Sequence, residues 1–293
     1  AALEKRVAEQ PDDPIALIRL GSVHEKAGAA AKAKEAYEKV LKANPKATPA
    51  VVKLAQLYAG PLRDPKKALE LARDARNLAP EDPEIAYTLG RLAFDAGDQQ
   101  WALSLLQESA RKQPGQPEVA SQLAWAYYSL GRLTDAQQAM QQALQPATAP
   151  GLKADAQRFL DLLALYPNPG PAASAQARVA EALKGNPDYL PALLVSALLL
   201  EQAGSFDQAK PVYEKILARF PSFAPAAKQL AALYADRFGD MEKAFPLAVK
   251  ARDVLPDDAD LAKTLGKVVY RRGDFTWSAQ LLKQSSKQRA ADA

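Results

Sequence analysis

The chain has 293 residues, 48% of them hydrophobic and 25% charged, which is enough apolar surface for a folded core and too little charge imbalance for a disordered tail. It has no cysteine and one histidine, His24, which excludes disulfides, thiolate nucleophiles and cysteine-ligated metals, and leaves no histidine pair for a metal site or a catalytic triad. The net charge of +4 falls short of the basic stripe that a nucleic-acid groove needs, and the longest apolar run, Leu193 to Leu200, is far shorter than the about 20 residues that cross a bilayer.

In chain order, the opening AALEKRVAEQP reads as the tail of a helix ended by Pro11, so residues 1–13 are expected to close a preceding repeat. From Pro14 the pattern is regular. Leu17, Leu20, Gly21 and His24 recur at helical spacing, Gly28 marks a turn, Ala33, Tyr37 and Val40 form a second ladder, and Pro45 ends it. The same ladder returns as Ala86, Leu89, Gly90, Ala93, Gly97, Ala102, Leu106 and Pro114, and again as Leu193, Ala197, Gly204, Ala209, Tyr213, Ile216 and Pro221. Small residues at Gly21, Gly90 and Gly266, and at Ala33, Ala68, Ala102, Ala136, Ala209 and Ala244, mark places where two helix backbones approach closely. First helices are predicted to begin near Pro14, Thr48, Pro83, Pro117, Ala156, Leu190, Ala224 and Ala259, with an irregular join over 145–155. The fifth copy departs most, its turn being the proline-rich PNPGPAAS. The turns GPLRDPKKA and DRFGDMEKA each carry one extra residue. A longer regularity overlies these copies, since Tyr58, Asp64, Gly90 and Trp101 match Tyr234, Asp240, Gly266 and Trp277 at a constant offset of 176. This spacing suggests duplication of a multi-repeat block.

With its large, small and aromatic positions and its terminal Pro, the chain resembles the tetratricopeptide repeat family, whose period is about 34 residues. The resemblance implies an all-α fold, a right-handed superhelical solenoid of about eight helix-turn-helix repeats forming a single domain over 1–293. It further implies a concave groove, lined by the first helices, that binds a partner protein or peptide. Related bacterial arrays serve secretion or envelope assembly. The alternative is a non-catalytic helical arm of a larger enzyme. The compartment stays open between cytoplasm and periplasm.

The groove positions lie on the side of each first helix away from its Leu and Gly ladder. In the third copy they include Tyr87, Arg91 and Phe94, and in the fourth Ser121, Gln122, Trp125 and Tyr128; their aromatics and Arg91 are expected to converge as binding anchors. In the eighth copy they include Lys263, Lys267, Tyr270 and Arg271, a basic stretch suited to an acidic segment. The Lys, Arg and Asn set with which some family members hold a chaperone carboxylate is not present. Trp101 and Trp277 read as packing at the seams between repeats. No catalytic pattern, metal site or cofactor motif is found, and nucleic-acid binding and membrane insertion are not expected. The apolar stripe of the final helix, carrying Trp277, Leu281 and Leu282, is expected to support weak self-association.

Overall fold

A computed structural model describes residues 2–170 and 172–291, and among these every regular element is helical. Helices α1 (Ala2–Glu9), α2 (Pro14–Lys26), α3 (Ala30–Ala43), α4 (Thr48–Ala59), α5 (Pro65–Leu78), α6 (Pro83–Asp95) and α7 (Gln99–Lys112) come first. They are followed by α8 (Pro117–Ser129), α9 (Leu133–Gln142), α10 (Pro150–Leu163), α11 (Ala172–Gly185) and α12 (Leu190–Gln202). The chain then runs through α13 (Phe206–Arg219), α14 (Ala224–Leu233), α15 (Met241–Val254), α16 (Ala259–Arg271) and α17 (Phe275–Ala291). The helices group into two compact units that divide within α8, between Gln122 and Leu123.

Helix starts follow from two residue types. Proline occupies the first turn of α2, α4, α5, α6, α10, α12 and α14, where its missing N–H is no loss and its φ is already helical. Aspartate caps many of the same starts. Asp13, Asp82 and Asp258 accept from the amides of Ile15, Glu84 and Leu261 at 3.0, 2.8 and 2.8 Å, and Asp64, Asp98, Asp240 and Asp274 each accept from the amide three residues on. Each cap satisfies a donor that the helix cannot, at a typical worth of about 1 kcal/mol.

Hairpins then pack along small-residue seams. Ala33, Ala68 and Ala102 in the first unit and Ala136, Ala209 and Ala244 in the second are all 0% exposed. A Cβ placed on Gly90 would stand 2.9 Å from the fully buried Leu106, and one on Gly266 would stand 3.0 Å from the more exposed Leu282, so both positions favour glycine, Gly90 the more strictly. His24 is half-buried and so is less enclosed than a core histidine.

Two features differ from the sequence pattern. The fifth pair begins at Pro150, six residues before Ala156, so most of the irregular join is helix; what remains is closed by the Thr148 hydroxyl donating to the Ala143 carbonyl at 2.8 Å. Pro150 starts a helix as readily as it breaks one. The extra residue in the two long turns is absorbed differently in the two copies. After α14 it makes a π-helical turn, Tyr234–Phe238, closed by Gly239 at φ 67°. After α4 it leaves Arg63, the counterpart of Gly239, at φ 52°. Both routes deliver the next aspartate to one place, since the amides of Asp64 and Asp240 donate to the Tyr58 and Tyr234 carbonyls at 2.8 Å.

Candidate functional site

A cavity of about 370 Å³ lies in the second unit between α14 and α16, each the first helix of its hairpin. Lys228, Gln229 and Ala232 come from α14, Asp260, Lys263, Thr264 and Lys267 from α16, Arg289 from α17, Asp236 from the π-helical turn and Pro167 from the turn after α10. On α16 the residues at 260, 263, 264 and 267 share one helical face, which explains why a single helix supplies so much of the wall.

Four cations thus meet two lining carboxylates. Lys228 pairs with Asp258 at 2.6 Å, Lys267 with Asp236 at 2.9 Å and Arg289 with Asp260 at 2.6 Å. Lys263 is exposed and pairs with nothing among the described residues. The cavity therefore carries a positive excess focused on Lys263, and the paired cations keep N–H donors free for a second acceptor.

A smaller cavity of about 110 Å³ occupies the equivalent place in the first unit, between α4 and α6. Its Gln56, Gly60, Thr88 and Arg91 are the counterparts of Ala232, Asp236, Thr264 and Lys267 at the offset of 176. Gln56 donates to the Thr88 hydroxyl at 3.2 Å, and Tyr87, the counterpart of Lys263, lies half-buried with the Arg91 guanidinium 5.7 Å from its ring centre. Burial holds the Tyr87 phenol above its ordinary pKa, and the charge of Arg91 offsets part of that rise. The two cavities thus stand at matching positions of the offset, one lined by polar and aromatic side chains and the other by cations.

The sequence-predicted residues divide accordingly. Arg91 lines the first cavity and Lys263 and Lys267 the second, while Tyr87 stacks with Arg91 and Phe94 lies half-buried on the same helix. Tyr270 and Arg271 are exposed but do not line the cavity; the Tyr270 ring instead stands 5.2 Å from that of Phe275. Ser121 is buried and Gln122 half-buried on α8.

Trp125 and Tyr128 require a correction. Tyr128 is 1% exposed, with its ring 5.1 Å from Phe159 and 5.2 Å from Phe223, and Trp125 lies 4.9 Å from Phe159 and 5.5 Å from Tyr189. Three of these contacts are edge-to-face and that of Tyr128 with Phe223 is tilted, so the rings form one aromatic cluster of the second unit in which Tyr128 is buried and Trp125 half-buried. Tyr128 has no surface to offer a partner. The reason lies in the fifth copy, whose Phe159 on α10 fills the place in front of α8. Sequence reasoning missed Lys228 and Arg289, which lie on separate helices far apart in the chain. No three His, Asp or Glu side chains gather as a metal site among the described residues, and none of their helices is long and apolar enough to cross a membrane.

Four family models described as tetratricopeptide repeat match residues 15–46, 52–117, 93–154 and 190–233. A TPR repeat-containing protein of Pseudomonas aeruginosa is 30% identical over 203 residues, which is 68% of this chain and 33% of that protein. The chain thus spans about a third of the length of this relative. Among solved structures, MamA is 20% identical with a TM-score of 0.41, covering 72% of this chain and 93% of that one. YrrB, described as a TPR protein with an unusual peptide-binding site, is 17% identical with a TM-score of 0.39, covering 89% and 96%.

Proposed function

Because the chain belongs to the tetratricopeptide repeat family, we propose that it is a protein-interaction scaffold whose second unit holds an acidic segment of a partner protein between α14 and α16. The observation that carries this reading is the cavity of about 370 Å³ into which Lys228, Lys263, Lys267 and Arg289 converge from three helices. A carboxylate placed there meets ammonium and guanidinium donors already oriented by Asp258, Asp236 and Asp260, so little side-chain entropy is lost when it binds. The equivalent cavity beside Tyr87 and Arg91 suits a polar or aromatic group of a partner, through stacking and hydrogen bonding.

Binding of a fluorescein-labelled decaglutamate peptide, followed by anisotropy, tests the acidic reading. The intact chain is expected to bind it at low salt and to release it as salt rises. Lys263→Ala with Lys267→Ala is expected to weaken binding at least about five-fold, equivalent to about 1 kcal/mol. Equal affinity for the variant would overturn the proposal.

A second role has its own observation. Phe275 is 61% exposed and Leu282 41% exposed, whereas their counterparts Gln99 and Leu106 are 9% and 0% exposed. We propose that this face associates weakly with another protein molecule, which includes a second copy of the chain. Sedimentation velocity across a concentration range reads this directly, and Leu282→Lys is expected to abolish any concentration dependence. Concentration-independent sedimentation of the unaltered chain would remove self-association.

A further inference from the structure

In the first unit three polar side chains form a hydrogen-bonded chain beside the smaller cavity. The Lys53 ammonium donates to the Gln56 side-chain oxygen at 3.2 Å, and the Gln56 side-chain amide donates to the Thr88 hydroxyl, also at 3.2 Å. Gln56 is thus the middle member, meeting one neighbour with its acceptor and the other with a donor. Its side chain reaches from α4 across to α6 and fills part of the space between them.

At the offset of 176 these three residues become Gln229, Ala232 and Thr264, and all three line the cavity between α14 and α16. Ala232 carries no polar atom beyond its backbone, so the chain loses its middle member. Among the described residues neither the Gln229 side chain nor the Thr264 hydroxyl has a hydrogen-bond partner. Thr264 is 7% exposed, and its hydroxyl does not bond back to a carbonyl of its own helix, as a helical threonine commonly does. A polar group so enclosed is normally satisfied. The cavity agrees with the exchange of glutamine for alanine, since about 370 Å³ stands open here against about 110 Å³ beside Gln56. Next to Thr264 on α16 comes Lys263, exposed and unpaired among the described residues, and Lys267 follows one turn on.

We propose that one side-chain carboxylate of the acidic partner segment enters the space that Ala232 leaves open and accepts hydrogen bonds from the Thr264 hydroxyl and the Gln229 amide, with Lys263 beside it. The proposal rests on the acidic-partner reading above. A carboxylate suits this place because both neighbours can donate to it and the surrounding lysines favour negative charge. The lysines by themselves attract any polyanion. Two uncharged residues, Gln229 and Thr264, therefore select a carboxylate that reaches into the cavity, and Ala232 decides that there is room for it. The first unit lacks such a seat because its own Gln56 already bonds Thr88.

The test uses the full chain and the labelled decaglutamate peptide at one low salt concentration. Ala232→Gln restores the arrangement of the first unit without altering any charge; its side chain is expected to bond Thr264 as Gln56 bonds Thr88, and so to weaken decaglutamate binding about ten-fold. Thr264→Val replaces only the hydroxyl, which bonds nothing in the unbound chain, and is expected to weaken binding about five-fold while the protein remains folded. Circular dichroism identifies the folded variants, and the valine variant carries the test by itself if the glutamine does not fit. Affinity equal to or tighter than that of the unaltered chain in either folded variant overturns the carboxylate seat and leaves the acidic reading standing. Absence of binding by the unaltered chain overturns the acidic reading and the seat together.

Discussion

At position 63 an arginine holds a left-handed backbone, φ 52°, that its counterpart Gly239 adopts at φ 67° with no Cβ to strain. Such a conformation costs a non-glycine residue about 1 kcal/mol. Arg63→Gly is therefore expected to raise stability by up to about 1 kcal/mol in urea denaturation, the gain being reduced by glycine's greater freedom in the unfolded chain; a loss of stability would show that the Arg63 side chain contributes more than its backbone costs. Tyr128 gives the opposite case. Its 1% exposure and its contacts with Phe159 and Phe223 predict that Tyr128→Ala destabilises the protein by about 3–5 kcal/mol, read as a shifted denaturation midpoint; a near-neutral change would return this residue to the surface role that its sequence position suggested. The residue scale is where sequence reading was weakest. Helical spacing places Trp125 and Tyr128 on a groove-facing side, but only the structure shows that Phe159, from a copy with an early helix start, already fills that side. The close approaches at Gly90 and Gly266, by contrast, were legible, because small residues that recur at one register of a helix leave room for a neighbouring backbone and for little else.

Between elements, adjacent hairpins are tied by side chains about one repeat apart. Arg76 on α5 grips Glu108 on α7 through two bonds, at 2.9 and 2.6 Å, and Lys112 adds a third at 3.0 Å. The hydrogen bond from Arg76, opposed by burial and helped by that from Lys112, lowers the Glu108 carboxyl from 4.5 to about 2. Because the folded pKa lies below the unfolded one, the stabilisation is fully present above pH 4.5 and is lost as pH falls from there towards about 2. Glu108→Gln is thus expected to destabilise the protein by about 1 kcal/mol near neutral pH, and the gap to the unaltered chain should close as the pH falls through that window. A gap independent of pH would mean that packing, and not charge, accounts for the loss. The second copy already carries the neutral version, Arg252 bonded to Gln284 at 2.6 Å. At this scale the helices were readable because proline, aspartate and glycine mark their ends. The start at Pro150 was hidden because proline in a Pro-Ala-Thr-Ala-Pro stretch reads equally as a loop.

At the scale of the whole chain the regularity that matters most is the offset between its two similar blocks. An offset of 176, visible in the sequence alone, identifies two equivalent cavities, one beside Arg91 and one beside Lys267. Their chemistry was only partly visible beforehand, since Lys228, Arg289 and Pro167 join Lys263 and Lys267 only through folding. The same comparison sets an expectation for dynamics. Helix α17 exposes Phe275 and Leu282 where α7 buries their counterparts, so its amides should exchange faster than those of α7. Equal protection in the two helices would show that this face is covered in solution. The central claim, that the cationic cavity of the second unit receives an acidic segment, is most directly tested by amide chemical-shift mapping of the isotope-labelled chain titrated with decaglutamate. The expected result is saturable shifts concentrated at Ala232, Thr264, Lys263 and Lys267, which weaken together as salt is raised. Shifts scattered over the lysines of the second helices, or confined to residues before Gln122, would contradict it.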